Sequence, residues 1–203
     1  MTENKNLPKV GVIGSGSFAT AVVKMLMENC EKVHWLLRDD GTREALVSQG
    51  SNPHYLTAVK FNPDRLVLTM DINELVTACD VIILATPSIY LADTIEKMTC
   101  DYSGKIFASV IKGIVPKHND IVANYLRDTF NIGYRSQAVL AGPCHAEEVA
   151  MERLSFLTVA AASKETTQML SDLLASRYIR INQSNDILGN EYSAVLKNIY
   201  AIG

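Results

Sequence analysis

Hydrophobic positions along the chain form short runs. Eight runs of four to six mostly β-branched or other apolar residues alternate with polar or mixed segments. Runs of this length that are bounded by turn residues are typical of buried strands. The predicted strands are residues 10–13, 33–37, 66–69, 81–85, 106–111, 138–141, 156–160 and 178–181.

The segments between these strands carry the apolar spacing of helices. Asp71 and Ser163 stand where N-cap residues belong. The predicted helices are residues 18–28, 73–79, 91–98, 121–130, 165–176 and 191–202. Strands that alternate with helices favour an α/β fold, namely a doubly wound, Rossmann-type and mostly parallel sheet. In such a fold ligands bind beyond the carboxyl ends of the strands, so the residues that follow each strand are the first candidates for a site.

Composition narrows the class of protein. The chain has 203 residues, which is enough for one domain and at most part of a second. It carries 19 Lys and Arg against 22 Asp and Glu without a basic cluster, so nucleic acid is not expected as a partner. No apolar run approaches the roughly 18 residues of a membrane span, and residues 1–9 lack the features of a secretory signal. We therefore expect a cytoplasmic protein whose four scattered cysteines are reduced thiols.

A glycine-rich turn follows the first predicted strand. Residues 14–19, which we call the glycine turn, have the G-x-G-x-x-A form of the dinucleotide-binding fingerprint and open a helix. A first glycine permits the tight turn, a second lets the backbone approach a pyrophosphate, and a small third residue lets helix and strand pack closely. The helix-start amides would then face the ligand's negative charge. The predicted cofactor-binding residues here are Gly14, Ser15, Gly16, Ser17 and Phe18, with Ala19 in the third position.

The second predicted strand leads into two side chains of opposite charge, Arg38 and Asp39. Asp39 lies 20 residues beyond Ala19, where the residue that contacts the adenosine ribose is expected. An aspartate there would bind the 2′-hydroxyl of NAD, whereas an arginine would pair with the 2′-phosphate of NADP. We favour NADP through Arg38 over NAD through Asp39.

Two further strands end in residues that suit the same site. Residues 81–85 lead into Thr86 and Pro87, a loop that we expect to form a wall beside the cofactor. Residues 106–111 lead into Lys112 and Gly113, which place a cation at a strand's carboxyl end beside a glycine that would let a ligand approach. Lys112 is therefore a candidate for binding an anion or a carbonyl group.

The sixth predicted strand is followed by Gly142, Cys144 and His145, with two glutamates close behind. Cys144 and His145 do not form a nucleophile–base pair, because adjacent side chains diverge on a helix or a strand. A zinc deaminase would need a downstream P-C-x-x-C pair, and no cysteine follows Cys144. The H-E-x-x-H motif is also absent. The sequence therefore predicts no metal site.

The last predicted helix carries an unusual lysine. Lys197 has Ser193, Ala194, Tyr200 and Ala201 as its helical neighbours, and none of them is acidic. A lysine on such a face is either a desolvated acid/base whose pKa is lowered or a surface residue that extends into water.

Taken in order, these motifs resemble the bacterial NAD(P)-dependent glycerol-3-phosphate dehydrogenase family over nearly the whole chain. The resemblance implies reversible hydride transfer between NAD(P)H and dihydroxyacetone phosphate, which yields sn-glycerol 3-phosphate for phospholipid synthesis. It rests on residues 14–21, Tyr55 and Leu56, Thr86 to Ser88, Lys112 to Ile114, Gly142 and Pro143 with Ala146 and Glu147, and residues 189–202.

The resemblance also implies roles for individual residues. Lys197 matches the family's catalytic acid/base, and Lys112 matches a lysine that contacts both substrate and cofactor. Gly142 and Cys144 match substrate-contacting positions, although a cysteine here replaces the usual serine or threonine and is a poorer hydrogen-bond donor. The residues that match the family's cofactor site are Ser17, Phe18, Arg38, Tyr55 and Ala146.

Members of this family continue beyond the position of Gly203 with a mostly helical second domain. The resemblance implies that residues 1–184 form the dinucleotide-binding domain and that residues 185–203 form the first helix of the substrate domain. This chain would then bind NADP(H) but turn over poorly by itself, and the full-length enzyme could be a homodimer. Two alternatives remain, a related two-domain hydroxy-acid dehydrogenase and a non-catalytic nucleotide-sensing module.

Overall fold

The computed structural model describes residues 7–200, and it describes side chains up to residue 197. Within this range the chain forms one eight-stranded sheet of order β3-β2-β1-β4-β5-β6-β7-β8. The first six strands are parallel, β7 is antiparallel to β6, and β8 is parallel to β7. The strands are β1 Val10–Ile13, β2 Val33–Leu36, β3 Leu66–Thr69, β4 Val81–Leu84, β5 Ile106–Ser109, β6 Gln137–Ala141, β7 Ser155–Ala161 and β8 Ile179–Ser184. The predicted mostly parallel α/β sheet is confirmed.

Helices cover both faces of this sheet. One core cluster joins residues of α1, α2, α6 and α7 to the first face, and two further clusters join α3, α4, α5 and α8 to the second. The helices within the described residues are α1 Ser17–Leu26, α2 Asp40–Gln49, α3 Ile72–Ala78, α4 Ser88–Ile95, α5 Val122–Phe130, α6 Ala146–Ala150, α7 Lys164–Leu174 and α8 Ile187–Tyr200. This arrangement is the double winding that the sequence predicts.

Helix ends agree with the predicted caps. The Asp71 carboxylate accepts a hydrogen bond from the backbone N–H of Asn73, and the Ser163 hydroxyl accepts one from that of Thr166. The helices α2 and α6 were not predicted. In α2 only three side chains are buried, so the apolar spacing is too sparse to reveal the helix.

Two predicted boundaries reach beyond the described part of the chain. Residues 1–6 of the expected domain 1–184 lie outside it, and so does the end of the predicted helix 191–202. That helix, α8, begins at Ile187, four residues earlier than predicted. Among the described residues no helix is both long and apolar enough to cross a membrane.

Candidate active site

The candidate site lies along one edge of the sheet. Strands β1, β4, β5 and β6 are consecutive neighbours and run in the same direction, so all four end at this edge, which we call the carboxyl edge. The chain order reverses between β1 and β4, and ligands bind at such a switch point in open α/β sheets. The topology therefore gathers the loops that carry Gly14, Pro87, Lys112 and Gly142.

The two glycines of the glycine turn have different surroundings. Gly14 has a φ of +123°, and a Cβ built there would lie 2.5 Å from the carbonyl oxygen of Ala85. A Cβ at Gly16 would meet no atom within 4 Å. Gly14 is thus required by close packing of β1 against the loop after β4, whereas Gly16 leaves open space beside the start of α1.

The N-terminus of α1 suits an anion. No side chain caps the helix at Gly16, and its first turn holds no acidic residue. The first N–H groups of a helix have no acceptor within it, and the helix dipole makes this end positive. The turn can therefore hold a pyrophosphate, as the fingerprint predicts.

Two side chains that the sequence interpretation missed hold the glycine turn. The indole Nε1 of Trp35 donates a 2.6 Å hydrogen bond to the carbonyl oxygen of Gly14. The buried Asn52 donates through Nδ2 to the carbonyl oxygen of Ser15 and to the hydroxyl of Thr20, each at 3.0 Å. No spacing rule points to Trp35, because its partner is 21 residues away.

Asn52 also orders the loop that carries Tyr55. Its Oδ1 accepts hydrogen bonds from the backbone N–H groups of His54 at 3.0 Å and Tyr55 at 3.2 Å. The Tyr55 side chain is left exposed. An Asn-Pro pair at residues 52 and 53 favours a turn and was the available signal for this loop.

The structure separates the roles of the two charges after β2. Asp39 is the N-cap of α2, and its carboxylate accepts hydrogen bonds from the backbone N–H of Thr42 at 2.8 Å and the Thr42 hydroxyl at 3.1 Å. These hydrogen bonds, led by the backbone one, lower the pKa of Asp39. Arg38 is 78% exposed, with Nε 3.9 Å from Asp39 Oδ2. Each Asp39 oxygen thus accepts a capping bond, and the largely exposed Arg38 lies within ion-pair distance of the same carboxylate.

The loops after β4 and β5 meet each other. A Cβ at Gly113 would lie 2.8 Å from the Ser88 hydroxyl oxygen, so Gly113 accommodates Ser88. The close contact of Gly113 is with the start of α4, and the approach of a ligand at this glycine stays a prediction. Pro87 is exposed at the same edge, at the N-cap of α4.

Lys112 lies between the glycine turn and the loop after β6. The residue is half-buried, and its Nζ lies 5.5 Å from the centroid of the Phe18 ring and donates a hydrogen bond of 3.4 Å to the carbonyl oxygen of Gly142. Burial lowers the pKa of Lys112, and the charge of Lys197 lowers it further. The lysine therefore connects the glycine turn with the loop after β6.

In the loop after β6 the backbone, rather than the side chains, borders the site. Gly142 has a φ of +126°, and a Cβ there would lie 2.9 Å from the carbonyl oxygen of Phe156. Cys144 and Ala146 are buried and belong to the core cluster on the α1 face of the sheet. Burial raises the pKa of the Cys144 thiol. The charge of Lys112 nevertheless acts on the Cys144 thiol, which lies near the candidate site. The ligand contacts predicted for Cys144 and Ala146 stay predictions.

Helix α8 brings Lys197 to this region. The helix packs against β6 and β7, and Ile187 in its first turn is buried among core residues of both strands. The charge of Lys197 contributes to the lowered pKa of Lys112. Lys197 itself is exposed, so the desolvated environment considered for it is not present among the described residues.

Comparison with known proteins identifies related chains. Residues 9–167 match the family model described as NAD-dependent glycerol-3-phosphate dehydrogenase N-terminus. The glycerol-3-phosphate dehydrogenase [NAD(P)+] of Pseudomonas fluorescens strain SBW25 is 34% identical over 203 residues, which cover 100% of this chain and 58% of the relative. That of Latilactobacillus sakei is 30% identical over 96% of this chain and 58% of the relative. The chain thus spans somewhat more than half the length of these relatives.

Solved structures of glycerol-3-phosphate dehydrogenases resemble this chain. A glycerol-3-phosphate dehydrogenase from Plasmodium falciparum is 26% identical with a TM-score of 0.84, over 95% of this chain and 57% of that one. The enzyme from Coxiella burnetii has a TM-score of 0.86 at 22% identity, over 97% of this chain and 59% of that one. The latter likeness supports the fold alone.

Proposed function

Because this chain belongs to the family of NAD-dependent glycerol-3-phosphate dehydrogenase N-termini, we propose that the whole protein is an NAD(P)-dependent glycerol-3-phosphate dehydrogenase. It reduces dihydroxyacetone phosphate to sn-glycerol 3-phosphate, which supplies glycerophospholipid synthesis. Residues 1–184 form its cofactor domain, and residues 185–203 begin its substrate domain.

The residues at the carboxyl edge fit a dinucleotide. The open space at Gly16 and the uncapped start of α1 suit the pyrophosphate, with Ser15, Ser17 and Phe18 around it. The exposed Arg38 suits the 2′-phosphate of NADP, since Asp39 is engaged as a helix cap. Tyr55 and Pro87 would line the cofactor. When bound, the reduced nicotinamide supplies the hydride.

Two amines suit the polarisation and protonation of the substrate ketone. The observation that carries the proposal is the position of Lys112. Its amine lies beside the Phe18 ring of the glycine turn and the carbonyl oxygen of Gly142. The charge of Lys197 also lowers the pKa of Lys112. We assign to Lys197 the proton that the ketone oxygen receives as hydride arrives at carbon. Lys112 polarises the carbonyl and orients the substrate, for which the backbone of Gly142 forms one wall. In the reverse direction Lys197 takes the proton back.

We extend the proposal to a cytoplasmic homodimer that binds a triose phosphate and no nucleic acid. The family resemblance supports the homodimer and the triose phosphate substrate. The net charge of −3 and the lack of a basic cluster in the sequence argue against nucleic acid as a partner.

Oxidation of NADPH by the full-length protein tests the proposal. We expect turnover with dihydroxyacetone phosphate, a loss of at least about a thousandfold in kcat for Lys197→Met, and a smaller loss for Lys112→Met. The 203-residue chain should bind NADPH and turn over poorly. Turnover only with hydroxy or keto acids would identify a related dehydrogenase instead. Tight NADPH binding without any turnover, and no effect of either lysine substitution, would identify a nucleotide sensor.

A further inference from the structure

Glu191 is a buried carboxylate that connects two helices that are far apart in the sequence. It lies on α8 with 0% of its surface exposed. Its Oε1 accepts a hydrogen bond of 3.0 Å from the backbone N–H of Val122, and its Oε2 accepts one of 3.1 Å from that of Ala123. Both donors belong to the first turn of α5, nearly 70 residues earlier in the sequence. Glu191 therefore caps a helix other than its own.

The start of α5 needs such a partner. Its N-cap is Ile121, whose side chain cannot accept a hydrogen bond, and Ile121, Val122 and Ala123 are all buried. Buried N–H groups of a first helical turn are costly when they lack an acceptor. A carboxylate at this position also interacts favourably with the helix dipole. The two hydrogen bonds thus give α8 a fixed attachment point on α5.

The attachment lies close to Lys197 along the helix. Lys197 lies six positions after Glu191, which corresponds to about 9 Å of helical rise. Between them Tyr192, Ser193 and Leu196 are exposed, while Ala194 and Val195 are only partly buried against the core. Apolar packing along this stretch is therefore sparse, and the bidentate contact of Glu191 is a directional constraint on it.

We propose that Glu191 is a positioning residue: its carboxylate, bound to the first two amides of α5, fixes α8 so that Lys197 stands beside Lys112 at the carboxyl edge. The inference rests on the proposed function only for the role given to Lys197. The placement itself can be tested without any enzymatic activity.

The test is an NMR titration of the Lys112 amine in variants of the 203-residue chain. The pKa of Lys112 is lowered in part by the charge of Lys197, so Lys197→Met should raise it. Glu191→Gln keeps the side-chain size but presents an amide donor to one of the two N–H groups, which need acceptors. Helix α8 should therefore shift, and the pKa of Lys112 should rise by more than half of the rise seen in Lys197→Met. Leu173→Ala is the control, because it removes a buried side chain of α7 on the other face of the sheet. It should destabilise the fold and leave the Lys112 pKa unchanged.

Two outcomes would overturn the proposal. One is a Lys112 pKa in Glu191→Gln equal to that of the wild type although Lys197→Met raises it. The other is no rise even in Lys197→Met, which would mean that the two amines are not neighbours. If Glu191→Gln does not fold, Val122→Pro tests the same link from α5, since proline at the first helical position removes one donor. Val122→Ala is its control, because it truncates the same buried side chain and keeps the N–H.

Activity of the full-length protein gives a second readout. Glu191→Gln should lower kcat on the order of 10- to 100-fold through misplacement of Lys197. Its KM for NADPH should be unchanged, because no proposed cofactor contact lies on α8. Equal losses in kcat and NADPH affinity would indicate general damage and contradict the proposal. If the wild type itself has no such activity, the proposed function fails, and the Lys112 titration still decides the role of Glu191.

Discussion

The indole N–H of Trp35 is hydrogen-bonded to the carbonyl oxygen of Gly14 at 2.6 Å. Trp35 is the single tryptophan of the chain, is fully buried, and packs edge to face on Phe61 at 5.7 Å between ring centroids. Gly14 is the residue at which β1 turns into the candidate dinucleotide site. The hydrogen bond therefore connects the hydrophobic core on the α1 face directly to the backbone that would hold the cofactor.

Trp35→Phe should weaken both the fold and cofactor binding. Losing the donor costs about 1 to 3 kcal/mol in the free energy of unfolding, because it removes a partner from a partly buried carbonyl. The NADPH affinity should fall with it, since the glycine turn loses a constraint. Phe61→Leu is the control, as it disturbs the same aromatic packing without removing the hydrogen bond. Urea denaturation and calorimetric titration measure the two effects, and equal NADPH affinities in both variants would refute the role of this bond.

The two glycines of the turn should respond differently to alanine. Gly14→Ala forces a side chain into a backbone with a φ of +123° and toward the Ala85 carbonyl, so we expect a loss of about 3 kcal/mol or more in stability. Gly16→Ala adds a methyl group to open space and should change stability by less than about 0.5 kcal/mol. It should nevertheless weaken NADPH binding by about tenfold or more, because the pyrophosphate needs that space. Unchanged affinity in Gly16→Ala would place the cofactor elsewhere.

Arg38 and Asp39 provide a matched pair for cofactor choice. Arg38→Ala should weaken NADPH binding by roughly 10- to 100-fold, since a hydrogen bond between charged groups contributes about 1.5 to 3 kcal/mol. NADH binding should change by no more than about twofold. Asp39→Ala should instead cost about 1 kcal/mol of stability through the lost helix cap. Calorimetric titration with both cofactors checks this, and equal effects of Arg38→Ala on both would move the ribose contact to Asp39.

Sequence patterns were sufficient where one local rule governs the structure. Apolar runs located all eight strands, and cap residues placed the starts of α3 and α7. The fingerprint located the glycine turn because its spacing of small residues is visible in the sequence, although the packing that requires Gly14 is with the distant Ala85. The pattern was insufficient for α2, where few side chains are buried.

Contacts between distant residues escaped prediction. Trp35, Asn52 and Glu191 each act on backbone atoms far away in the sequence, and a single chain carries no signal for such pairs. Burial was equally hidden at Cys144, where the loop after β6 turns the thiol into the core. The positions of the strands and of the glycine turn can thus be predicted from sequence, whereas the contacts that orient the candidate site residues depend on tertiary packing.

Glu191 should give the fold a pH dependence. Burial raises the pKa of Glu191 from 4.5 to about 7, and the two N–H donors oppose this shift only in part. Between these values the folded state holds a proton that the unfolded state has lost, so this group's contribution to stability falls as the pH rises from about 4.5 to about 7.

Glu191→Gln removes this titration. We therefore expect the difference in unfolding free energy between wild type and variant to change across that pH window and to be constant above it. Urea denaturation at a series of pH values measures the difference, which cancels the contributions of other titrating groups. A difference that is independent of pH from 4.5 to 7 would contradict the raised pKa.

The structure of the complex with NADPH tests the central claim most directly. We expect the pyrophosphate at the backbone amides of Ser17 and Phe18, the 2′-phosphate at Arg38, and the nicotinamide on the side of the site where Lys112 and Lys197 lie. A complex in which the cofactor lies away from the glycine turn, or in which both amines point away from the nicotinamide in the full-length enzyme, would contradict it.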